Sequence, residues 1–394
     1  MALAALAPGA TAQEFTVLQS FEYVNGDRPL TPPIFASDGN LYGATLQGGV
    51  ADLGVIYRLT PQNELSKLHT FCALPYCGDG ESPEFGPIQG KDGNLYGTTS
   101  NGGIDDLGVV YKLTLAGTLT VLHDFAGGEE GWYPTSLVED GAGGFYGTTL
   151  ENGAHQFGTI FHLSGSGQGK LTTLYSFCDR QPDCINAYSN TGQPVPLVRG
   201  SDGNIYGITA TGGVSYYLCA AGGCGTVFKI TPKGEFSIVY NFCSLSDCAD
   251  GGQPTWLIQG FDGNFYGTTG LAGSGGGGTV FQLTSAGVLN TLHSFTSALN
   301  GASGYAPNGL IQAASGTLYG VTSLGGNDQD GPHRGCGTVF SVTTTGDFAS
   351  LHSFDFSDGY LPAGLAQTSN NTLAGTTSYG GANGEGVIFR LNLN

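Results

Sequence analysis

One phrase returns along the whole chain and limits its fold more than any other feature. It reads Asp38-Gly39-Asn40-Leu41-Tyr42-Gly43, then Asp92-Gly93-Asn94-Leu95-Tyr96-Gly97, Asp202-Gly203-Asn204-Ile205-Tyr206-Gly207 and Asp262-Gly263-Asn264-Phe265-Tyr266-Gly267. Looser copies put Tyr146 and Tyr319 in the same slot, and a seventh, Asn371-Thr372-Leu373-Ala374-Gly375, has Ala there. From Tyr42 to Ala374 the steps are 54, 50, 60, 60, 53 and 55 residues. A chain of 394 residues would otherwise suggest two or three domains; tandem repetition makes it one array.

Each unit holds four strand-length segments. The first follows a Pro and reads like Gly309-Leu310-Ile311-Gln312, and the second is the Leu-Tyr-Gly-Thr-Thr segment. The third resembles Val109-Val110-Tyr111-Lys112-Leu113, and the fourth Leu289-Asn290-Thr291-Leu292-His293-Ser294-Phe295. β-Branched and aromatic residues fill these segments, and Gly-containing turns separate several of them. Composition agrees: 69 Gly and only 11% charged residues suit short strands and tight turns, not long helices. The expected fold is therefore all-β, a seven-bladed β-propeller with four antiparallel strands per blade. Counted this way, the last unit stops one strand short, at Val387–Leu391, and the missing strand stands at the other end as Phe15–Phe21. That N-terminal strand is expected to complete the last blade and remove open sheet edges. Residues 14–394 form the expected single domain, and 1–13 a signal-peptide remnant or disordered tail.

The Asp-Gly-Asn-Leu-Tyr-Gly-Thr-Thr and Gly-Thr-Val-Phe-Lys-Leu segments resemble the GloVer-type tandem repeat of exported bacterial proteins, and they cover nearly the whole chain. The resemblance implies a propeller-like exported protein and carries no established activity. The layout is more loosely similar to NHL-type propellers.

Acidic residues outnumber basic ones 31 to 12, a formal net charge of −19. Such a surface repels phosphate backbones and anionic membranes, so no nucleic-acid partner is expected. No apolar run reaches the ~18 residues of a membrane span. The opening residues, through Ala10-Thr11-Ala12 before Gln13, have the small-residue pattern of a secretory cleavage site. Eight of nine cysteines form close pairs: Cys72/Cys77, Cys178/Cys184, Cys219/Cys224 and Cys243/Cys248. Being sequence-local and spread over different repeats, they read as loop staples of an oxidising compartment, each contributing about 2 kcal/mol, and not as a zinc site. Cys336 is left over. A secreted monomer is expected.

The second-to-third and fourth-to-first connections are long and variable, and in a four-stranded meander both emerge on one side. Function is expected on that side, because loops on a rigid scaffold carry binding and catalysis. A residue present in most blades is explained by the blade, so His69, His123, His293 and His352, all in one slot of the fourth strand, are expected to be structural. Departures from the repeat are candidates. His155, His333, Arg180 and Arg334 lie in long connections and could serve as base and cation of a lyase. Tyr216 and Tyr217, and Asp183 beside Arg180, lie in Cys-stapled loops. Before the Pro that opens each first strand, Trp132, Tyr133, Tyr305 and Tyr360 stand beside Asp79, Glu130, Asp250 and Asp358, a composition suited to stacking and hydrogen-bonding a sugar. Asp328-Gln329-Asp330-Gly331 resembles the opening of a calcium loop but lacks the distal bidentate Glu; no other cofactor is expected. The leading expectation is an exported propeller that binds a glycan or cell-surface protein through its long-loop face. The alternatives are a polysaccharide lyase or glycoside hydrolase on the same face, and a structural or adhesive extracellular protein.

Overall fold

The computed structural model describes residues 13–165, 169–177, 197–213, 219, 222–297, 301–326 and 335–393. Its strands form seven separate four-stranded antiparallel sheets, the blades of a propeller. In blade 2 the strands are Ile88–Gln89, Leu95–Thr99, Val109–Leu113 and Leu119–Asp124, and the other blades repeat this order. The last blade takes Tyr360–Ser369, Thr372–Tyr379 and Val387–Asn392 from the C-terminus and Glu14–Ser20 from the N-terminus. Phe15 pairs with Leu391 and Val17 with Phe389, so the expected closure is what the chain does. No helix among the described residues is long and apolar enough to cross a membrane.

First strands of adjacent blades touch one another, as those of blades 5, 6 and 7 do, which places them around the axis. The second and third strands are buried on both faces; in Leu95–Thr99 every residue is buried, and in Val109–Leu113 only Lys112 is not. The core therefore lies between blades. An aromatic at the end of the fourth strand of one blade, or just after it, meets, edge to face, a third-strand aromatic of the next. The pairs are Phe21–Tyr57, Phe71–Tyr111, Phe125–Phe161, Phe177–Phe228, Phe242–Phe281, Phe295–Phe340 and Phe354–Phe389, with ring centroids 5.1–5.8 Å apart. All seven interfaces have one, the seam closed by Phe21 included.

That ring explains the Gly of Leu-Tyr-Gly. The third-strand aromatic lies flat against it, so a Cβ on Gly267 would sit 2.4 Å from Phe281 Cζ and 2.4 Å from the Trp256 carbonyl oxygen. The Asp of the phrase has its own task. Asp92 accepts from the Asn94 side chain at 2.8 Å, Tyr96 Oη at 2.8 Å and Lys112 Nζ at 2.8 Å. Burial alone would raise this carboxyl, but those donors hold it far below the usual carboxylate range. Asp38, Asp202 and Asp262 bind their own Tyr in the same way.

The disulfides Cys72–Cys77, Cys219–Cys224 and Cys243–Cys248 are formed; Cys178 and Cys184 lie outside the described residues. Cys336 is buried.

Gly267→Ala is expected to cost about 2–4 kcal/mol by overpacking and the shift of a rigid ring, whereas Gly263→Ala, at φ +80° with open space around it, costs only about 1 kcal/mol. Denaturant midpoints of the two variants measure the difference; equal losses would remove the inter-blade ring as the reason for the glycine.

Candidate functional site at the long-loop mouth

Each described first strand except that of blade 4 is entered through a Gly-x-x-Pro step. The residue before the Pro takes a left-handed conformation in every one: Arg28, Ser82, Tyr133, Gln253, Ala306 and Leu361, with φ between 52° and 59°. This costs strain, and tertiary contact repays it. The N–H of Ser82 donates to Leu53 O at 2.9 Å, that of Gln253 to Cys224 O at 2.7 Å and that of Arg28 to Glu385 O at 3.3 Å, each an acceptor in the preceding blade's long connection. Because first strands surround the axis, the two residues before each Pro form the rim of the opening on the long-loop side. That side is common to both classes of long connection, since Glu81 pairs with Asn101 and Asp27 with Gln47 across them.

The rim is uneven. Trp132 and Tyr133 occupy it in blade 3, where the indole Nε1–H donates to Glu151 Oε2 at 2.9 Å and Tyr133 Oη lies 3.4 Å from Asn101 Nδ2. Tyr305 and Tyr360 occupy it in blades 6 and 7, the far part of the ring. The structure adds residues there that the sequence analysis did not single out. Tyr379 lies 6.0 Å from Tyr360, Phe356 lies 6.3 Å from it on another flank, and the Arg28 guanidinium stands 5.4 Å from the Tyr379 centroid. An aromatic strip therefore crosses the seam between blades 7 and 1 and ends on a cation. A signal for it was present: Tyr379 holds the slot before Gly-Gly that Gln47 and Asn101 hold elsewhere, a departure from the repeat.

The four carboxylates expected beside the aromatics point elsewhere. Asp79 and Asp250 are 1% and 0% exposed. Asp79 binds His69 Nε2 at 3.0 Å and accepts from the Ala73 and Leu74 N–H groups. Asp250 accepts from Tyr240 Oη at 2.8 Å and from Ser244 N–H. Glu130 and Asp358 bind His123 and His352. These acids tie the fourth strand to the loop after it, and they give three of the four recurring histidines, His69, His123 and His352, their partners. The carboxylates at or touching the rim residues are instead Asp27 and Glu81, Glu385 beside Asp27, and Glu151 on the Trp132 indole.

His155 is exposed in the long connection of blade 3, in the same blade as Trp132. His333, Arg334, Arg180, Asp183, Tyr216, Tyr217, Asp328 and Asp330 lie outside the described residues. Of the 12 basic residues, only Arg28, Arg180 and Arg334 belong to long connections; the others sit in strands or short turns. Among the described residues most acids fall in the long connections, so that side carries most of their negative charge.

Asp27 and Glu385 meet at the seam. Burial first, then the adjacent Glu385 carboxyl, push Asp27 up to about 7 against the pull of Arg28. Asp27 Oδ1 is buried with no hydrogen-bond partner. Because the folded chain holds this proton more tightly than the unfolded one, stability from the pair is full below about pH 4 and declines as pH rises through about 7. Asp27→Asn mimics the protonated form, so its melting temperature is expected to stay flat between about pH 5 and 8 while the parent's falls; parallel curves would show that the pair does not share a proton.

Solved structures share the architecture. The extracellular domains of two proteins assigned as hybrid two component systems, both from B. thetaiotaomicron, match at TM-scores of 0.60 and 0.57 with 12% and 11% identity. They cover 97% and 96% of this chain, which spans only 43% and 41% of theirs. A protein of Bacteroides uniformis assigned as a 6-phosphogluconolactonase matches at 0.50 with 16% identity, over 85% of this chain and 88% of its own. At these identities the likeness shows the fold alone. Among proteins with curated descriptions, none is significantly similar in sequence. The model of the Gloeobacter/Verrucomicrobia repeat matches residues 6–192, 75–245 and 193–394, together almost the entire length. The chain belongs to the Gloeobacter/Verrucomicrobia repeat family.

Proposed function

We propose that this propeller is an extracytoplasmic binding module that holds a neutral glycan, free or on a cell-surface partner, across the long-loop mouth. The observation that carries this reading is the aromatic strip Tyr360–Tyr379–Arg28, with Trp132 and Tyr133 at the corresponding positions before the Pro of blade 3. Sugar C–H faces stack on such rings, and hydroxyls bond to carboxylates such as Glu151 and Glu385. A neutral ligand is favoured because the acidic connections repel uronates and sulfated chains. Loop disulfides, stable only away from a reducing cytosol, support the compartment.

An enzyme acting on the same ligand is the second reading, and the Asp27–Glu385 pair is the acid pair it would have to use. The two carboxyls sit within hydrogen-bonding reach of each other, closer than the ~5 Å of retaining or ~6.5–9.5 Å of inverting glycosidase pairs. Binding without turnover is therefore the expected outcome.

A glycan array of neutral plant and bacterial polysaccharides, followed by reducing-end and unsaturated-product assays on every hit, tests both readings. Trp132→Ala and Tyr360→Ala are each expected to weaken the hit by about 1 kcal/mol, roughly five-fold, with melting temperatures little changed. Binding insensitive to both substitutions would place the ligand elsewhere, and turnover abolished by Asp27→Asn would favour the enzyme.

A further inference from the structure

The seventh blade breaks the repeat on the side opposite the mouth, and it leaves a hole there. In blade 2 the first-to-second turn supplies Gly90, Asp92 and Asn94, with Tyr96 on the second strand opposite Lys112 of the third. The phenol lies over Gly90, bonds to Asp92 and packs against Phe145 of the next blade, 4.4 Å between centroids. The equivalent positions of blade 7 are Thr368, Asn370, Thr372 and Ala374, and Ala374 pairs with Arg390 in the place of Lys112. The phenol and the carboxylate are both gone, and the cation stays.

A cavity of about 440 Å³ fills that gap between blades 7 and 1. Ala374 and Arg390 line it on one side, and Leu18, Phe35, Leu41 and Leu59 give it apolar walls. Leu41 is the residue against which a seventh tyrosine would pack, since it shares a buried cluster with Ala374. Arg390 makes no ion pair among the described residues, and its Nε is buried with no hydrogen-bond partner. Glu14, at the start of the closing strand, is held by Asn392 Nδ2 at 3.1 Å.

We propose that this cavity binds a small aromatic carboxylic acid, its ring in the vacated tyrosine slot against Leu41 and its carboxylate on Arg390. The ligand would restore with one molecule what blade 2 builds from Tyr96, Asp92 and Lys112. A pocket of this size, with apolar walls on one side, polar Thr and Asn side chains on the other and one cation, suits a single-ring acid. A guanidinium meets a carboxylate through two parallel N–H donors, a geometry a neutral amide cannot match. The site is separate from the glycan mouth and does not depend on it.

Titration calorimetry of the full chain with benzoate and 4-hydroxybenzoate, and with benzamide as the neutral isostere, tests the proposal. Saturable binding of one acid per chain is expected, with benzamide and Arg390→Gln each weaker by roughly ten- to hundred-fold. The double substitution Asn370→Asp, Ala374→Tyr rebuilds the repeat inside the cavity, so it is expected to abolish binding and to keep or raise the melting temperature. Arg390→Gln alone leaves the walls intact and serves if the double variant misfolds. Failure of both acids to bind at millimolar concentration would overturn the proposal, as would binding undiminished by Arg390→Gln or by the rebuilt turn.

Discussion

Each blade depends on an aromatic pair that crosses to its neighbour. A sheet of four short strands cannot bury its own second and third strands, and here their cover comes from the adjacent blade. The edge-to-face pairs are worth about 0.5–1.5 kcal/mol each beyond the area they bury. Their greater effect is geometric. The Phe at or just after the end of a fourth strand must reach the third strand of the next blade, which sets the angle between sheets, and seven such steps bring the chain back to its start. Phe21 makes the seventh contact with Tyr57, so the closing strand supplies a core residue as well as a hydrogen-bonded edge.

This arrangement separates the two sides of the ring. Short turns are consumed by the repeat: the turn Asp holds the Tyr, and in blade 2 the third-strand Lys holds the Asp. Long connections carry most of the acids, the disulfides and the rim aromatics. The one long-connection cation among the described residues, Arg28, stands at the seam, beside Tyr379 and the Asp27–Glu385 pair. The seam is where repetition is weakest, since blade 7 joins strands from both ends of the chain. Both departures with chemical consequences, the aromatic strip and the opposite cavity, lie there.

Much of this was readable before any coordinates. Seven units, four strands each and the role of Phe15–Phe21 follow from spacing alone, because strands of similar length at similar intervals have few other closed arrangements. The site was less readable. Asp79 and Asp250 stand next to the rim in sequence, yet the Gly that follows each turns the chain, and their carboxylates face back to His69 and Tyr240. Arg28 does not stand out in sequence from its Pro-rich surroundings. Tyr379 comes 19 residues after Tyr360 in the chain, and only the sheet pairing sets the two opposite each other.

The sequence by itself determined the class of fold, the blade count, the closure and the side on which variation gathers, because periodic patterning encodes local pairing. Tertiary structure alone decided which carboxylates reach the rim, which aromatics form a strip and what space a missing tyrosine leaves. Those depend on contacts between blades some fifty residues apart, or at the seam more than three hundred, and side-chain direction at such distances is set by packing rather than by neighbours in the chain.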